Sequence, residues 1–299
     1  MHIGISRPPT PPHPTPDIDA AIVARHAEDL GFESIFYGEH PIRPLDQPGH
    51  SVHAHGVPFF QDTLVALARI SAATTKIRFG GGVFLIPEHN PVQFAKELAS
   101  LDFYSGGRLL IGAGVGWSRV ECELLGGQWA RRWAQTRETV QIMKQLWTEE
   151  TVTYDGEIYQ IPAVQLFPQP VSKPWPPVLI GAKSSEKTFA RIVDYGDGWL
   201  PAFVTPQDVA NGPAVIAAGR RRLDELATAA GRKATDFQIT AIIRGPQIDG
   251  DLGPGQRVDR RLTARYGMAG CDRILVSLPT LTSAADAPAA LGRIADAVL

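Results

Sequence analysis

A glutamate and a histidine stand together directly after a short segment that is predicted to be a strand. Residues 34–37 are rich in β-branched and aromatic side chains, and Glu39 and His40 follow them. Imidazole gains and loses a proton near neutral pH, so this pair could perform general acid–base chemistry. The competing interpretation is a pair that only caps or packs a loop.

A second candidate site opens a predicted helix after a later strand. It consists of Gly181, Ala182, Lys183, Ser184 and Ser185. Unpaired backbone N–H groups at a helix start bind anions, and Lys183 or Lys187 could add positive charge. The segment therefore predicts a phosphate site. The alternative is an ordinary helix N-cap at Ser184 with Lys187 in solvent.

Two predicted strands are loaded with glycine. The first contains Gly80, Gly81 and Gly82 before Val83, and the second contains Gly112, Gly114 and Gly116 before Trp117. Glycine weakens a strand and usually marks a bulge or a close approach of backbone to another group. Bare backbone at the carboxyl ends of two neighbouring strands predicts a flat ligand lying on them. The spacing G-x-G-x-G differs from the G-x-G-x-x-G fingerprint, which argues against a Rossmann dinucleotide site.

Three histidines, His50, His53 and His55, fall within six residues. Such a cluster can ligate a metal, which raises the possibility of a metal-dependent hydrolase that uses His40 as well. In barrel hydrolases, however, a His-x-His pair usually sits at a strand end. Here the cluster is flanked by glycine and proline, so we predict a solvated or substrate-facing loop and no metal site.

The composition narrows the function classes further. The 299 residues are 44% hydrophobic and 20% charged, with a net charge of -2, which argues against nucleic acid as the main partner. Cys122 and Cys271 are the two cysteines, so a disulfide framework is not expected. Neither a secretory signal nor an apolar run of the ~20 residues that a membrane span needs is visible. We therefore expect a cytoplasmic protein with no membrane partner.

Strand-like and helix-like patterns alternate along the chain and position these residues. Strands are predicted over residues 2–6, 34–37, 77–86, 109–113, 177–180, 198–201, 237–243 and 273–277. Helices are predicted over 17–30 with Asp17 as N-cap, and over 62–73, 91–104, 132–147, 184–195, 213–230, 257–268 and 286–299. Eight such pairs predict an α/β fold of the (β/α)8 TIM-barrel type, as one domain over residues 1–299. A doubly wound sheet is the competing architecture, but it rarely uses eight such regular units.

One insertion interrupts this alternation between helix 4 and strand 5, at about residues 149–176. Residues 151–154 and 157–160 flank a tight turn at Asp155-Gly156 and predict a hairpin, which a proline-rich coil follows. In a barrel of this kind, ligands bind at the carboxyl ends of the strands, where Glu39, His40 and the glycine segments lie.

Many short segments, in order, resemble the luciferase-like monooxygenase superfamily and most closely its deazaflavin (coenzyme F-420)-dependent oxidoreductase branch. The matching segments are Ile35-Phe36-Tyr37-Gly38-Glu39-His40, Pro87 with Asn90-Pro91, Ala95-Lys96, Leu101-Asp102, Ser105-Gly106-Gly107-Arg108, Gly112-Ala113-Gly114-Val115-Gly116-Trp117, Leu146-Trp147-Thr148, Gly156-Glu157, Pro168-Gln169-Pro170, Pro177-Val178-Leu179-Ile180-Gly181 and Gly196-Asp197-Gly198-Trp199-Leu200-Pro201. The resemblance runs from strand 2 to about Pro201 and weakens after it.

The resemblance implies a cofactor site at the barrel mouth. It implies a bulge in strand 3 with a non-prolyl cis peptide, which would be Gly82-Val83 here, against which the cofactor ring rests. The cofactor-binding residues it implies are Glu39, His40, Gly81, Gly82, Val83, Gly114, Gly116, Trp117, Gly181, Ala182, Lys183 and Ser184. Ala182 replaces the usual second glycine of the phosphate loop, and Lys183 follows it.

From the resemblance we expect an oxidoreductase that transfers hydride between coenzyme F-420 and a small organic substrate. His40 would supply or accept the proton, and Glu39 would orient it. The nearest alternative is a monooxygenase that uses reduced FMN and dioxygen, and a barrel that binds the cofactor without turnover is a further one. Relatives are commonly dimers, so a homodimer is expected.

Overall fold

The computed structural model describes residues 1–6, 19–42, 44, 61–243, 258–279, 281, 283 and 285–299. The strands are β1 His2–Ser6, β2 Ser34–Tyr37, β3 Arg78–Leu85, β4 Leu109–Gly114, β5 Val152–Asp155, β6 Gln160–Val164, β7 Val178–Ile180, β8 Gly198–Trp199, β9 Ala202–Phe203, β10 Gln238–Ile243 and β11 Arg273–Ser277. The helices are α1 Ala20–Asp29, α2 Thr63–Ala73, α3 Pro91–Ser105, α4 Arg119–Leu124, α5 Arg132–Thr148, α6 Glu186–Tyr195, α7 Pro206–Ala229, α8 Arg260–Met268 and α9 Asp286–Val298.

The main sheet closes on itself. Its parallel strands follow the order β11-β1-β2-β3-β4-β7-β8-β10, and β10 pairs in turn with β11. β8 and β9 occupy one position in this ring, since both pair with β10. The result is a closed eight-stranded parallel barrel with helices between the strands, which confirms the predicted TIM barrel.

Alternation along the strands divides the apolar side chains between two layers, because successive residues of a strand face opposite sides. In β2, Ile35 faces the layer between barrel and helices, while Phe36 belongs to a smaller cluster inside the barrel. That interior cluster consists of Phe36, Leu110, Leu179, Leu200, Ile242 and Leu275, with the half-buried Val83 packed against it. Val83 thus joins the bulged end of β3 to the barrel interior.

Two arginines at the amino-terminal end of the barrel, the half-buried Arg108 and the buried Arg273, each make several side-chain hydrogen bonds. Arg108, just before β4, donates from Nε to Ser105 O at 2.9 Å and from Nη1 to Thr74 Oγ1 and Ile77 O at 2.8 and 2.9 Å. Its Nη2 donates to Ser71 O and Thr74 O at 2.9 and 3.1 Å. The guanidinium therefore clamps the chain entering β3 and β4 to the end of α2.

Arg273, the first residue of β11, forms a matching clamp on the same end. Its Nε and Nη2 each donate to the Glu33 carboxylate at 2.7 Å. Its Nη1 donates to Thr240 Oγ1 at 3.2 Å. Burial alone would raise the pKa of Glu33, but the hydrogen bonds and charge of Arg273 outweigh it and hold that pKa below its usual value.

Several predicted boundaries were wrong, and capping explains them. The N-cap of α1 is Asp19, whose carboxylate accepts from Ala21 N at 3.0 Å, whereas Asp17 lies outside the described residues. The N-cap of α6 is Ser185 and not Ser184, because the Ser185 hydroxyl accepts from Thr188 N at 3.1 Å. In each case a side chain one or two residues later satisfies the free N–H groups of the first turn.

Helix α7 begins seven residues before the predicted start at Pro213. Thr205 and Asp208 form a capping box, and Pro206 occupies the first turn. Pro213 lies inside the helix and cannot donate to Val209 O four residues earlier. The Tyr266 hydroxyl donates to that carbonyl instead, at 2.9 Å, so a contact from α8 supplies the bond that proline removes.

The hairpin between α5 and β7 has a later second strand than predicted. β6 covers Gln160–Val164, whereas the prediction placed it over residues 157–160. The N–H groups of Glu157, Ile158 and Tyr159 all donate to the Glu138 carboxylate at 3.0–3.2 Å, so they are not available for strand pairing. None of the described helices is both long and apolar enough to cross a membrane.

Candidate functional site

The carboxyl end of β3 is bulged, as predicted. The Gly82-Val83 peptide bond is cis, and the pairing of β3 with β4 shifts register between Gly81 and Phe84. Val83 is half-buried at this point, at the carboxyl-terminal mouth of the barrel. The residues that the sequence assigned to the cofactor platform, Gly81, Gly82 and Val83, therefore share one irregular segment.

Close packing within the protein accounts for several of the glycines. A side chain at Gly114 or Gly181 would meet Val83, with a Cβ on Gly181 only 2.5 Å from Val83 Cγ1. A Cβ on Gly80 would meet the carbonyl oxygen of Leu110, and one on Gly112 would meet that of Gly81. Strand packing and the space that the Val83 side chain occupies thus account for these glycines. The glycine pattern is not by itself evidence for a flat ligand.

Among the described residues, Glu121 and Trp117 contact His40 at the mouth of the barrel. Its Nδ1 lies 2.9 Å from Glu121 Oε2, and its Nε2 accepts from Trp117 Nε1 at 3.0 Å. Because Nε2 is an acceptor, the ring is the neutral tautomer in which Nδ1–H donates to Glu121. Sequence reasoning assigned the orienting carboxylate to Glu39. The carboxylate that contacts His40 is instead Glu121, which is buried in α4.

Glu39 belongs to a second histidine–carboxylate pair. Its Oε2 accepts from the backbone N–H of Leu85 at 2.6 Å and lies 3.0 Å from His89 Nε2. His89 stacks on Phe94 with ring centroids 4.0 Å apart. Glu39 thus ties the end of β2 to the bulged end of β3.

Glu88 is close enough to both pairs for the charges of Glu121 and Glu39 to act on it. Burial, then the charge of Glu121, then that of Glu39 raise the pKa of the Glu88 carboxyl to about 8. Within the described parts of the chain, both Glu88 carboxylate oxygens and Glu121 Oε1 are buried without a hydrogen-bond partner. Buried polar atoms are rarely left unpaired, so these three oxygens mark the site as unusual.

The segment before α6 offers backbone donors. The N–H of Gly181 is used, since it donates to Ala113 O at 2.8 Å. Among the described residues, the N–H groups of Ala182, Lys183 and Ser184 donate to no protein acceptor. Their carbonyls are fixed, with Ala182 O accepting from Trp199 and Lys183 O from Thr188. The predicted phosphate segment therefore presents three adjacent donors on an anchored backbone.

The structure adds residues that the sequence reasoning missed, namely Glu88, His89 and Glu121. Glu88 and His89 follow β3 directly, so their position at a strand end was the available signal. Glu121 lies on α4, a short helix that was not predicted, and its Ser118 N-cap was the local signal.

The predicted loop histidines His50, His53 and His55 lie outside the described residues. In the described ranges, no group of three or more His, Cys, Asp or Glu side chains is arranged to hold a metal ion.

Two solved structures share this fold over nearly the whole chain. One is a monooxygenase from Streptomyces bottropensis, with a TM-score of 0.72 and 19% identity over 99% of this chain and 98% of that one. The other is an F-420-dependent secondary alcohol dehydrogenase in complex with an F-420–acetone adduct, with a TM-score of 0.73 and 18% identity over 98% of both chains.

Sequence comparison finds relatives in Mycobacterium tuberculosis. An uncharacterised protein is 35% identical over 285 residues, which is 93% of this chain and 93% of that protein. An F-420-dependent hydroxymycolic acid dehydrogenase is 27% identical over 219 residues, which is 72% of this chain and 57% of that enzyme. The family model described as luciferase-like monooxygenase matches residues 2–245, well over half of the chain. This protein therefore belongs to the luciferase-like monooxygenase family.

Proposed function

We propose that this protein is an oxidoreductase that uses the deazaflavin coenzyme F-420 to transfer hydride to or from a small organic substrate. The observation that carries the proposal is His40, held at the barrel mouth between Glu121 and Trp117. The coenzyme, when bound, supplies the hydride donor or acceptor. What the protein must add is a residue that exchanges a proton with the substrate oxygen.

His40 is prepared for that exchange. Trp117 is about half exposed, with 48% of its surface accessible, whereas Glu121 is 1% exposed. A substrate hydroxyl that replaces the Trp117 indole would place its proton against the lone pair of Nε2. When Nε2 takes that proton, the buried Glu121 carboxylate stabilises the imidazolium through Nδ1. In the reverse direction the same nitrogen returns the proton to the carbonyl oxygen.

The residues of the phosphate segment fit an anionic cofactor. The three backbone donors of Ala182, Lys183 and Ser184 stand before the amino terminus of α6, where the helix dipole also favours negative charge. Lys183 adds a cation at the same place. We propose that this segment holds the phosphodiester and that Gly81, Gly82, Val83, Gly114, Gly116 and Trp117 border the ring.

The comparisons support F-420 and also keep one alternative open. A mycobacterial relative and a structural neighbour are both named as F-420-dependent dehydrogenases. The family name and the Streptomyces neighbour are those of monooxygenases, and they favour the alternative function, oxygenation with reduced FMN and dioxygen. The cytoplasmic location and the homodimer stay predictions from the sequence.

Titration of the purified protein with F-420 and with FMN separates these functions. We expect F-420 to bind more tightly, and its binding to weaken with added salt because its tail is anionic. Stopped-flow absorbance with reduced and oxidised coenzyme and a panel of alcohols and ketones then tests hydride transfer. Equal or tighter FMN binding, together with dioxygen-dependent product, would assign the protein to the monooxygenases.

A further inference from the structure

We propose that His89 is a positioning residue: it holds the Glu39 carboxylate, and that carboxylate fixes the bulged end of β3 to the end of β2. The consequence is a fixed separation between Val83 on β3 and His40 after β2. The proposal rests on the proposed function for its catalytic meaning, because there Val83 borders the coenzyme ring and His40 exchanges the proton. The contacts that carry it lie within the protein.

The backbone pairing between β2 and β3 stops before the bulge. Its last pair is Tyr37 with Gly81, and the pairing of β3 with β4 shifts register between Gly81 and Phe84. Gly82 and Val83 lie within that shift and are not among the paired residues of either neighbouring strand. The position of this segment therefore depends on contacts other than the hydrogen bonds between strands.

The Glu39 side chain links the two strands beyond the point where their backbones separate. Its Oε2 accepts from the backbone N–H of Leu85 at 2.6 Å, two residues after Val83. Glu39 is only 7% exposed, and a hydrogen bond to a charged group is stronger than one between neutral groups. Because Glu39 directly precedes His40, the same bond also places the His40 backbone against the end of β3.

His89 fixes the orientation of that carboxylate. Its Nε2 lies 3.0 Å from Glu39 Oε2, and since this carboxylate oxygen already accepts from Leu85, the His89 Nε2–H is a donor to it. The His89 ring stacks on the buried Phe94 with centroids 4.0 Å apart and 18° between the planes. Its backbone N–H donates to Ile86 O at 3.3 Å. The donor is thus held from two sides, which makes it a fixed reference for Glu39.

The separation of Val83 and His40 matters for the proposed reaction. Hydride transfer requires the reacting carbons in contact while the proton acceptor faces the substrate oxygen. Val83 borders the ring and His40 faces the oxygen, so their separation helps to decide whether both conditions are met together. Loss of the His89 donor should therefore lower the rate of hydride transfer more than it lowers coenzyme affinity.

Two substitutions separate the donor from the aromatic ring. His89→Phe keeps a ring to stack on Phe94 and removes the donor, whereas His89→Gln removes the ring and keeps an N–H that can reach Glu39. We expect His89→Phe to lower single-turnover hydride transfer by ~10- to 100-fold, since a displacement of ~1 Å can cost that much. His89→Gln should recover most of the rate. His26→Phe on α1 is the matched control and should transfer hydride like wild type.

NMR of the coenzyme-free protein supplies a readout besides activity. Valine methyl and backbone amide signals are recorded, and the Val83 methyl signals are identified by their loss in Val83→Ala. We expect His89→Phe to shift the Val83 methyl signals and the Leu85 amide signal, and His89→Gln to leave both near their wild-type positions. If His89→Phe does not fold, His89→Asn takes its place, because its amide is too short to reach Glu39.

Unchanged Val83 and Leu85 signals in the variant without the donor would overturn the proposal. Shifted signals with an unchanged rate of transfer would do so equally, because the contact would then serve the fold alone. If neither coenzyme supports turnover but the signals respond to the donor as expected, the proposed function fails and the contact from His89 through Glu39 to β3 stands. If turnover occurs and His89→Phe matches wild type in rate and signals, the function stands and the positioning role is wrong.

Discussion

Charged side chains at the two ends of the barrel differ in how far their hydrogen bonds are satisfied. At the amino-terminal end, Arg108 makes five side-chain hydrogen bonds and Arg273 grips Glu33 through two bonds of 2.7 Å. At the carboxyl-terminal end, the oxygens of Glu88 and one oxygen of Glu121 have no partner among the described residues. Arg108 and Arg273 are thus hydrogen-bonded at several atoms, whereas these carboxyl oxygens are left without partners in the described part of the chain.

This difference suggests that the amino-terminal end serves stability and the carboxyl-terminal end serves the reaction. A buried charge with every hydrogen bond satisfied holds strands in register and has no tendency to change its protonation state. A buried carboxyl beside other carboxylates is costly to ionise, so its proton can be moved within the physiological range. Substitutions at the amino-terminal end should therefore affect folding, and substitutions at the carboxyl-terminal end should affect reaction or pH response.

His40→Ala should show the largest effect at the carboxyl-terminal end. Loss of a general acid or base lowers turnover by typically ~100- to 10,000-fold, whereas coenzyme affinity should change little because His40 would act on the substrate. Single-turnover hydride transfer, coenzyme titration and thermal unfolding on one preparation measure this. His26→Ala on α1 is the control and should behave as wild type. A His40→Ala protein with wild-type transfer would direct attention to Glu39 and His89.

Arg273→Met should show the opposite pattern at the amino-terminal end. It leaves Glu33 without its partner, which we expect to cost about 3 kcal/mol of unfolding free energy. Urea unfolding measures the loss, and turnover per folded molecule should stay near that of wild type. Adding Glu33→Gln should recover part of the stability. A catalytic defect without loss of stability would show that the two ends are not divided in this way.

Ser184→Pro tests the anion site at the same end as His40. Proline removes one backbone N–H from the proposed phosphate contact, and a hydrogen bond to a charged group contributes ~2 kcal/mol, so F-420 affinity should fall by ~10- to 100-fold. Ser184→Ala keeps the N–H and is the control. Equal F-420 affinities in the two variants would show that the phosphate does not bind to the Ser184 N–H. Gly181→Val is a poor test, since its Cβ would collide with Val83 2.5 Å away.

Glu88→Gln should have the smallest effect of these four substitutions, and the effect should be on how stability depends on pH. The pKa of Glu88 is raised in the folded protein to about 8, so its contribution to stability is complete below the usual glutamate pKa and is lost as the pH rises through about 8. Between pH 5 and pH 9, wild type should lose on the order of 2 kcal/mol more than Glu88→Gln, after allowance for partial exposure of the residue. Urea unfolding at several pH values measures the difference. Parallel curves for the two proteins would show that Glu88 titrates normally.

Much of the fold could be predicted from local sequence. The alternation of β-branched strands with amphipathic helices fixes the order of elements, and the N-caps at Asp62 and Asn90 leave their signature in residue type. The resemblance of many short motifs pointed to the cis bond at Gly82-Val83, which the structure confirms. Some errors arose from a nearby cap, as at Ser185, and one arose where a distant residue overrode the local signal, because Tyr266 satisfies the carbonyl that Pro213 leaves unpaired.

The candidate site was predictable only in part. Glu39 and His40 could be found because they follow a strand directly, and position at a strand end is a property of local sequence. Their partners could not be assigned, because hydrogen bonding depends on which side chains converge from different segments. His40 meets Glu121 across 81 positions of sequence and Glu39 meets His89 across 50. The sequence by itself determined the barrel and the presence of a histidine at its mouth. Only the tertiary structure decided which carboxylates share one buried, poorly solvated place, and proximity in such a place is what shifts a pKa.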